Sequence, residues 1–327
     1  MTWLVLGPLC ASGTAVRHVL AAKGGLKVQV HFRQRRISLR LSLRPGGHAP
    51  RSLLRPSART GRSHMRLLMC PPDYYGIEYE INPWMSRSHQ SNAQIAREQW
   101  NNLYQLLNLR FGAEIELLDP KPGLPDMVFT ANAGLAWNGK FIVSRFRHDV
   151  RQREASHYEA WFANHGYEVL HLPDNYCFEG EGDLLKCGEL WFAGYHIRSD
   201  IFSHQKIADI IGQEILSLEL TSDWYYHLDT CFCPLSAGRA IFYPPAFDPY
   251  ARKVLENHIP DLITVSDEEA ARFACNAVVA GEKIAMNDGC PKLKGKMEAA
   301  GFSVFQTPLD EFIKAGGSAK CLVLIIG

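Results

Sequence analysis

The first 64 residues contain neither aspartate nor glutamate. They hold ten arginines and two lysines, so subtracting those twelve charges from the chain's +1 leaves about −11 on residues 65–327. The same stretch is poor in aromatics and rich in Ser, Pro and Gly, as in "RQRRISLRLSLRPGGHAPRSLLRPSARTGRS". Such a composition cannot bury enough apolar surface to offset its chain entropy, which predicts a disordered basic arm over 1–64 and a single domain over 65–327. The arm reads as upstream sequence ahead of a true start at Met65, or as an Arg- and Ser-rich targeting segment. As a nucleic-acid tail its arginines would bind phosphate without specificity, and no aromatics are interleaved to stack bases. The opening "MTWLVLGPLCASGTAVRHVLAA" lacks the basic start of a secretory signal. No run of about 18 apolar residues occurs, so no membrane-spanning helix is expected. The nine cysteines are odd in number, scattered and without a CxxC pair. That excludes a disulfide framework and predicts a reduced, cytoplasmic protein, or an organellar one if the arm is a transit peptide. Cys231 and Cys233 stand two apart, which on a strand puts both on one face rather than on a metal.

What is present is a repeat. An apolar run, a glycine turn and a second apolar run recur as "AGLAWNGKFIVSRF", "GDLLKCGELWFAGY", "FCPLSAGRAIFYPP" and "NAVVAGEKIAMND". Each predicts a β-hairpin. The turn glycines Gly139, Gly188, Gly238 and Gly281 are 49, 50 and 43 residues apart, a period that signals a repeat architecture. Between hairpins lie helical stretches followed by single strands: "SHYEAWFANHG" then "YEVLHLP", and "PKLKGKMEAAG" then "FSVFQTPL". "SNAQIAREQWNNLYQLLNL" predicts a helix between the strands "MRLLMCPP" and "AEIELLDP". Four units are complete. A fifth requires both chain ends, "MRLLMC" and "KCLVLIIG", to pair. The expected fold is α/β, a closed ring of five ββαβ units with no free sheet edge.

Four polar clusters fall at strand ends in step with that repeat. "PDMVFTANAG" offers Asp126, Phe129 and Asn132; "CFEGEGD" offers Glu179, Glu181 and Asp183; "YYHLDTCF" offers His227 and Asp229; "GGSAKC" offers Cys321. Singly, each reads equally as a buried cysteine, a structural histidine or a solvated acidic turn. Together they read as a nucleophile, Cys321, with a proton-transfer partner, His227. Acids beside a nucleophile suit a cationic substrate held by charge-assisted, bidentate hydrogen bonds.

The motifs "LMCPPDYYGIEYEINPWM", "PDMVFTANAGL", "FEGEGD", "YYHLDTCFCPL", "FYPPAFD", "FACNAV" and "AGGSAKC" resemble the guanidine-modifying penteins. That superfamily holds arginine deiminase, dimethylarginine dimethylaminohydrolase, amidinotransferases and arginine dihydrolase, and the likeness runs from about Met65 to Gly327. It implies a five-bladed pentein propeller and a substrate such as arginine, with no cofactor, metal, nucleic acid or membrane partner. A homo-oligomer is compatible with it. Residue by residue, it implies Cys321 as nucleophile, His227 as general acid/base and Glu179 as the residue orienting His227 or the guanidinium, with Glu181 its rival. Asp126 and Asp229 would bind guanidinium nitrogens and Phe129 would stack on the guanidinium face. Arg145 and Arg198 would hold the substrate carboxylate, and Asn82 would sit on a lid. The family's deiminases carry Asp where Asn132 stands, and its dimethylarginine hydrolases generally lack an acid at Asp229. The pair Asn132 and Asp229 therefore resembles arginine dihydrolase, which converts arginine to ornithine, two ammonia and carbon dioxide. Deiminase, dimethylarginine hydrolase and amidinotransferase outcomes stay open as alternatives.

Overall fold

The computed structural model describes residues 18–21, 27–33, 36–42 and 65–327. The chain divides into two units, Met1–Arg62 and Ser63–Gly327. In the first, the strands His18–Ala21, Lys27–Arg33 and Arg36–Ser42 pair as an antiparallel meander. Composition alone predicts no element there. The local pattern explains the difference, because Val28, Val30 and Phe32, and then Ile37, Leu39 and Leu41, alternate with polar residues at strand period. The expectation of a disordered or misassigned arm otherwise falls on residues outside the described ones.

The second unit repeats one connection five times. A strand turns back into an antiparallel partner, a helix crosses over, and a third strand returns parallel to the middle one. Sheet two has Gly134–Trp137, Lys140–Val143 and Glu168–Leu170, with helix α2, Ala155–Asn164. Sheet three has Leu184–Cys187, Leu190–Tyr195 and Ile215–Glu219, with α3, Ile201–Ile211. Sheet four has Phe232–Ser236, Arg239–Phe242 and Asp261–Thr264, with α4, Pro249–His258. Sheet five has Val278–Ala280, Lys283–Asn287 and Ser303–Thr307, with α5, Pro291–Ala299. The middle strands are the most apolar segments because both of their faces are covered. Phe141, Ile142 and Val143 are all buried, as are Ala240, Ile241 and Phe242. The first hairpin turn is Asn138–Gly139, with φ of 49° and 76°. Both residues must be left-handed in the turn that matches strand twist, which is why Asn-Gly stands there.

Sheet one is assembled from the chain ends. Arg66–Met69 lies between Glu114–Leu117, parallel, and Leu324–Ile325, antiparallel, with α1, Ala93–Leu106, as its crossover. Asn92 caps α1 by accepting from the backbone of Gln94 and Ile95. The Arg66 N–H donates to the Gly327 carbonyl at 2.7 Å and extends the closure.

The apolar clusters follow the ring around. Leu68, Leu324, Phe141 and Val143 join sheets one and two. Leu135, Ile142, Leu184 and Trp191 join two and three. Phe192, Phe232, Ile241 and Ile284 join three, four and five. Ala285, Val278, Leu67 and Leu322 join five back to one. The ring closes by burial as well as by hydrogen bonds, and the five-unit α/β propeller is the observed fold. One local expectation fails: Cys231 ends the helical turn Leu228–Cys231, while Cys233 lies in the following strand, so the two do not share a strand face.

Candidate active site

Each unit enters its hairpin through a short irregular segment, and these segments meet at the end of the ring opposite the hairpin turns. They are the 3-10 turns Pro125–Val128, Thr130–Ala133 and Gly180–Gly182, the helical turn Leu228–Cys231, the loop holding Asn276, and the turn around Cys321. Cys321 therefore stands ahead of the closing strand rather than on it. Cys321, His227, Glu179, Asp126 and Asp229 are each at most 2% exposed.

His227 Nε2 lies 2.7 Å from Glu179 Oε2. Glu179 also accepts from Arg198 Nη1 at 3.1 Å and from the Arg147 backbone N–H at 3.0 Å. Burial opposes ionisation of Glu179, but Arg198 and His227 outweigh it and hold the carboxyl well below the usual range. An ionised Glu179 can only accept, so Nε2 carries a proton, and Nδ1 faces Asn132 Nδ2 at 3.5 Å. Asp183 holds this turn by accepting from the Leu228 N–H at 3.0 Å and Ser199 Oγ at 2.6 Å. Burial raises its pKa to about 6.

Around Cys321, the Sγ–H donates to Asp229 Oδ2 at 3.4 Å and Asn276 Nδ2 donates to Sγ at 3.1 Å. Burial and then the Asp229 charge push the thiol well above its ordinary pKa, so the unliganded protein holds a neutral thiol. Burial raises Asp229 to about 7, although Lys320 pulls it down. Burial also raises Asp126, against the pull of Arg151. Among the described residues, Asp126 Oδ1 and Asp229 Oδ1 are buried acceptors without a hydrogen-bond partner. Two unpaired carboxylate oxygens in these turns, one of them on the residue bonded to Cys321, are suited to a planar cation with several N–H groups.

Most of the sequence candidates meet here, with altered partners for some. Asn132 Oδ1 accepts from Arg151 Nη1 at 3.0 Å, which turns its NH2 toward His227. Arg198 is buried, but its guanidinium is engaged by Glu179, by the Ile81 carbonyl at 3.0 Å and by the Tyr226 ring at 4.4 Å. Phe129 packs edge-on against Tyr75. Asn82 lies on the loop over the site, where its amide bonds the Ala315 carbonyl and the backbone N–H of Trp84. Arg145 is not brought in. It is exposed, 3.4 Å from the exposed Asp174, because it follows the buried middle strand on the outward side. Glu181 turns away as well and pairs with Lys320 at 2.8 Å, which leaves Glu179 as the partner of His227. Two site residues went unassigned from sequence, Asn276 and Arg151, as did Lys320, which lies behind the site and acts on it through its charge on Asp229. Asn276 stands two residues ahead of its hairpin, as Asn132 does, a signal that could have found it. Arg151 carries no such phase; it is buried beside Glu154, at 2.9 Å, and Asp126, at 3.7 Å.

The glycines of "EGEGD" and "GGSAKC" are explained by close approach. A Cβ on Gly182 would stand 2.5 Å from Asn132 Nδ2 and 3.3 Å from the His227 ring. A Cβ on Gly317 would strike the Phe129 ring. A cavity of about 820 Å³ lies on the hairpin-turn side of the ring, and the Lys320–Glu181 pair lines its floor. The cluster around Cys321 is not part of that cavity and is covered by the loop bearing Ile81 and Asn82.

The chain's likeness to known proteins follows this geometry. The family profile described as N,N dimethylarginine dimethylhydrolase, eukaryotic, matches residues 77–326. The bifunctional arginine dihydrolase/ornithine cyclodeaminase ArgZ of Synechocystis sp. is 48% identical over 265 residues, which are 80% of this chain and 37% of that protein. The chain thus spans little more than a third of that relative's length. The N(G),N(G)-dimethylarginine dimethylaminohydrolase of Mycobacterium tuberculosis is 38% identical over 271 residues, 83% of this chain and 88% of that one. The crystal structure of the N-terminal domain of ArgZ covalently bound to a reaction intermediate superposes with a TM-score of 0.77 at 46% identity, covering 80% of this chain and 98% of that one. With the five-unit ring, the profile match and these identities agreeing, the chain belongs to the dimethylarginine dimethylhydrolase family of guanidine-modifying penteins.

Proposed function

We propose that this protein is a hydrolase of the arginine guanidinium group that works through a covalent intermediate on Cys321 and yields ornithine, two ammonia and carbon dioxide. The observation that carries the reading is Cys321 bonded to Asp229, whose Oδ1 is a buried acceptor without a hydrogen-bond partner, with a second such acceptor, Asp126 Oδ1, in the same set of turns. A guanidinium between them would satisfy both acceptors and neutralise the Asp229 charge that disfavours the thiolate. The Cys321 proton passes to His227 Nδ1, and the sulfur forms a bond to the guanidinium carbon. The carbon–nitrogen bond then breaks, and His227 returns the proton to the departing ammonia. A thiouronium remains on sulfur. His227 takes a proton from water, whose oxygen bonds the same carbon as the sulfur leaves, giving a ureido product. A second round of attack and hydrolysis on that product, still bound, releases the second ammonia and leaves a carbamate that breaks down to ornithine and carbon dioxide. Asn132 supports this round, since its amide can donate to a ureido oxygen where a carboxylate would repel it. Arg151 and Arg198, rather than the exposed Arg145, are the buried guanidinium groups at the site.

The family profile and the mycobacterial relative favour a second reading, a dimethylarginine hydrolase releasing citrulline and dimethylamine. Deiminase and amidinotransferase outcomes share the same intermediate. The odd number of scattered cysteines, without a CxxC pair, is the basis for placing the protein in a reducing compartment, cytoplasmic or organellar. Among the described residues no helix is long and apolar enough to cross a membrane. The test is product analysis of the full chain with arginine, dimethylarginine and citrulline. Ornithine with about two ammonia per arginine is expected. Arrest at citrulline would replace the dihydrolase reading, and turnover of dimethylarginine alone would favour the second.

A further inference from the structure

Cys321 lies in a turn with no strand or helix to fix it. Asn276 holds that turn at three points. Its backbone carbonyl accepts from the Lys320 N–H at 3.3 Å, its Oδ1 accepts from the Cys321 N–H at 3.1 Å, and its Nδ2 donates to Cys321 Sγ at 3.1 Å. The second Nδ2 proton goes to the Asp229 backbone carbonyl at 3.0 Å. Asn276 is fully buried. The amide orientation is set by chemistry: a backbone N–H on one side requires the oxygen there, and a carbonyl and a sulfur on the other require the NH2.

We propose that Asn276 is a catalytic residue of this site, whose amide N–H holds the Cys321 sulfur for attack and stabilises it as a thiolate. The inference rests on the reading of Cys321 as nucleophile. The charged groups facing the sulfur are few. The Asp229 carboxylate at 3.4 Å disfavours a thiolate. The Lys320 ammonium, next in sequence, is bound to Glu181 at 2.8 Å and to the Val323 carbonyl at 3.1 Å. Tyr226 donates its hydroxyl to the Gly316 carbonyl at 2.7 Å, away from the sulfur. His227, the proton acceptor in the proposed reaction, has its Nε2 on Glu179 at 2.7 Å, and the Ser318 backbone also bonds the sulfur, which leaves the Asn276 amide as the side-chain donor bonded to Sγ among the described residues. A hydrogen bond to an ionised acceptor is about twice as strong as one to a neutral acceptor. The contact therefore strengthens as the thiol ionises, which lowers the barrier rather than only binding the resting enzyme. Serine or threonine could not serve sulfur and the Asp229 carbonyl at once, and glutamine would overreach both.

The experiment uses the full chain with Asn276→Ala and the isosteric Asn276→Asp, which keeps the acceptor for the Cys321 N–H but removes the donor. Alkylation of the Cys321 peptide by iodoacetamide is followed by mass spectrometry across pH. This uncharged reagent reads the thiol independently of the acidic pocket. In both variants the midpoint of alkylation should rise by about one to two pH units, and kcat should fall about 100-fold with KM changed far less. An unchanged alkylation profile would overturn the proposal even if activity were lost. Loss of the cooperative melt in both variants would also overturn it, by assigning the amide to building the turn. Because alkylation needs no substrate, failure of the parent to hydrolyse arginine would sink the functional reading without deciding this one.

Discussion

At the scale of single residues, the site is a set of buried charges sorted into satisfied and unsatisfied. Glu179 and Arg198 complete each other and carry His227. Removing one partner of a buried pair leaves an uncompensated charge, so Arg198→Ala should cost about 3–5 kcal/mol. That is a fall in melting temperature on the order of 10 °C by calorimetry. Arg145→Ala removes only an exposed contact at 3.4 Å. It should leave melting within about 1 °C and KM within about twofold, since exposed pairs contribute little. A large KM change there would restore Arg145 to the substrate-binding set. Asn132→Asp tests the amide itself. With Oδ1 bound to Arg151, the substituted oxygen would replace the NH2 facing His227 and the reacting carbon. Ammonia per arginine should drop from about two toward about one, with citrulline accumulating, as read by chromatography.

At the scale of elements, the short turns before the hairpins do the positioning, and their glycines set how closely they approach. Gly182 is the clearest case, since a methyl there would meet both Asn132 and His227. Its neighbours are held by other bonds, His227 by Glu179 and Asn132 by Arg151, so they cannot simply swing aside. Gly182→Ala should therefore displace the His227 ring and lower kcat by about 10²-fold, the range expected for a displaced proton-transfer group. The five sheets lie outside this turn, so circular dichroism should show the parent's secondary structure. An active Gly182→Ala variant would mean that these turns are looser than their contacts indicate.

At the scale of the whole molecule, burying so many acids at one end of the ring makes stability depend on pH. Asp183, Asp229 and Glu154 have pKa values raised by burial to about 6, 7 and 7. The folded chain therefore keeps protons that the unfolded chain, with carboxyl pKa values near 4, has lost. Between about pH 4 and 7 the folded state binds more protons, so these groups make stability fall as pH rises. Glu179 acts in the opposite sense, and its contribution is lost only on acidification below the ordinary carboxyl range. Melting temperature should decline from pH 5 to pH 7.5, and Asp229→Asn should flatten part of the decline. A guanidinium requires Asp229 ionised, so KM for arginine should fall over the same interval in the parent and not in that variant.

The repeat was legible in the sequence because its causes are local. Glycine turns, period-two strands and helical spacing each involve neighbouring residues, and five such units leave few ways to bury their apolar faces except in a ring. Even the pairing of the chain ends followed, since an open ring would expose a sheet edge. Cys321, His227, Asp126, Asn132 and Asp229 stood out as candidates because chemistry-bearing residues recur in phase with the units. What the sequence left undecided were relations across units. Glu179 and Glu181 stand two residues apart in one turn, yet one faces His227 and the other Lys320, a choice made by turns 48 and 139 residues away along the chain. Arg145 and Arg151 are both arginines after the same strand, and only packing against Asp126 and Glu154 draws the second inward. Asn276 acquires its meaning from a cysteine 45 residues distant. Local sequence determined which elements form and where their ends fall. The closed ring decided which side chains at those ends are desolvated together, and desolvation sets their charge and reactivity.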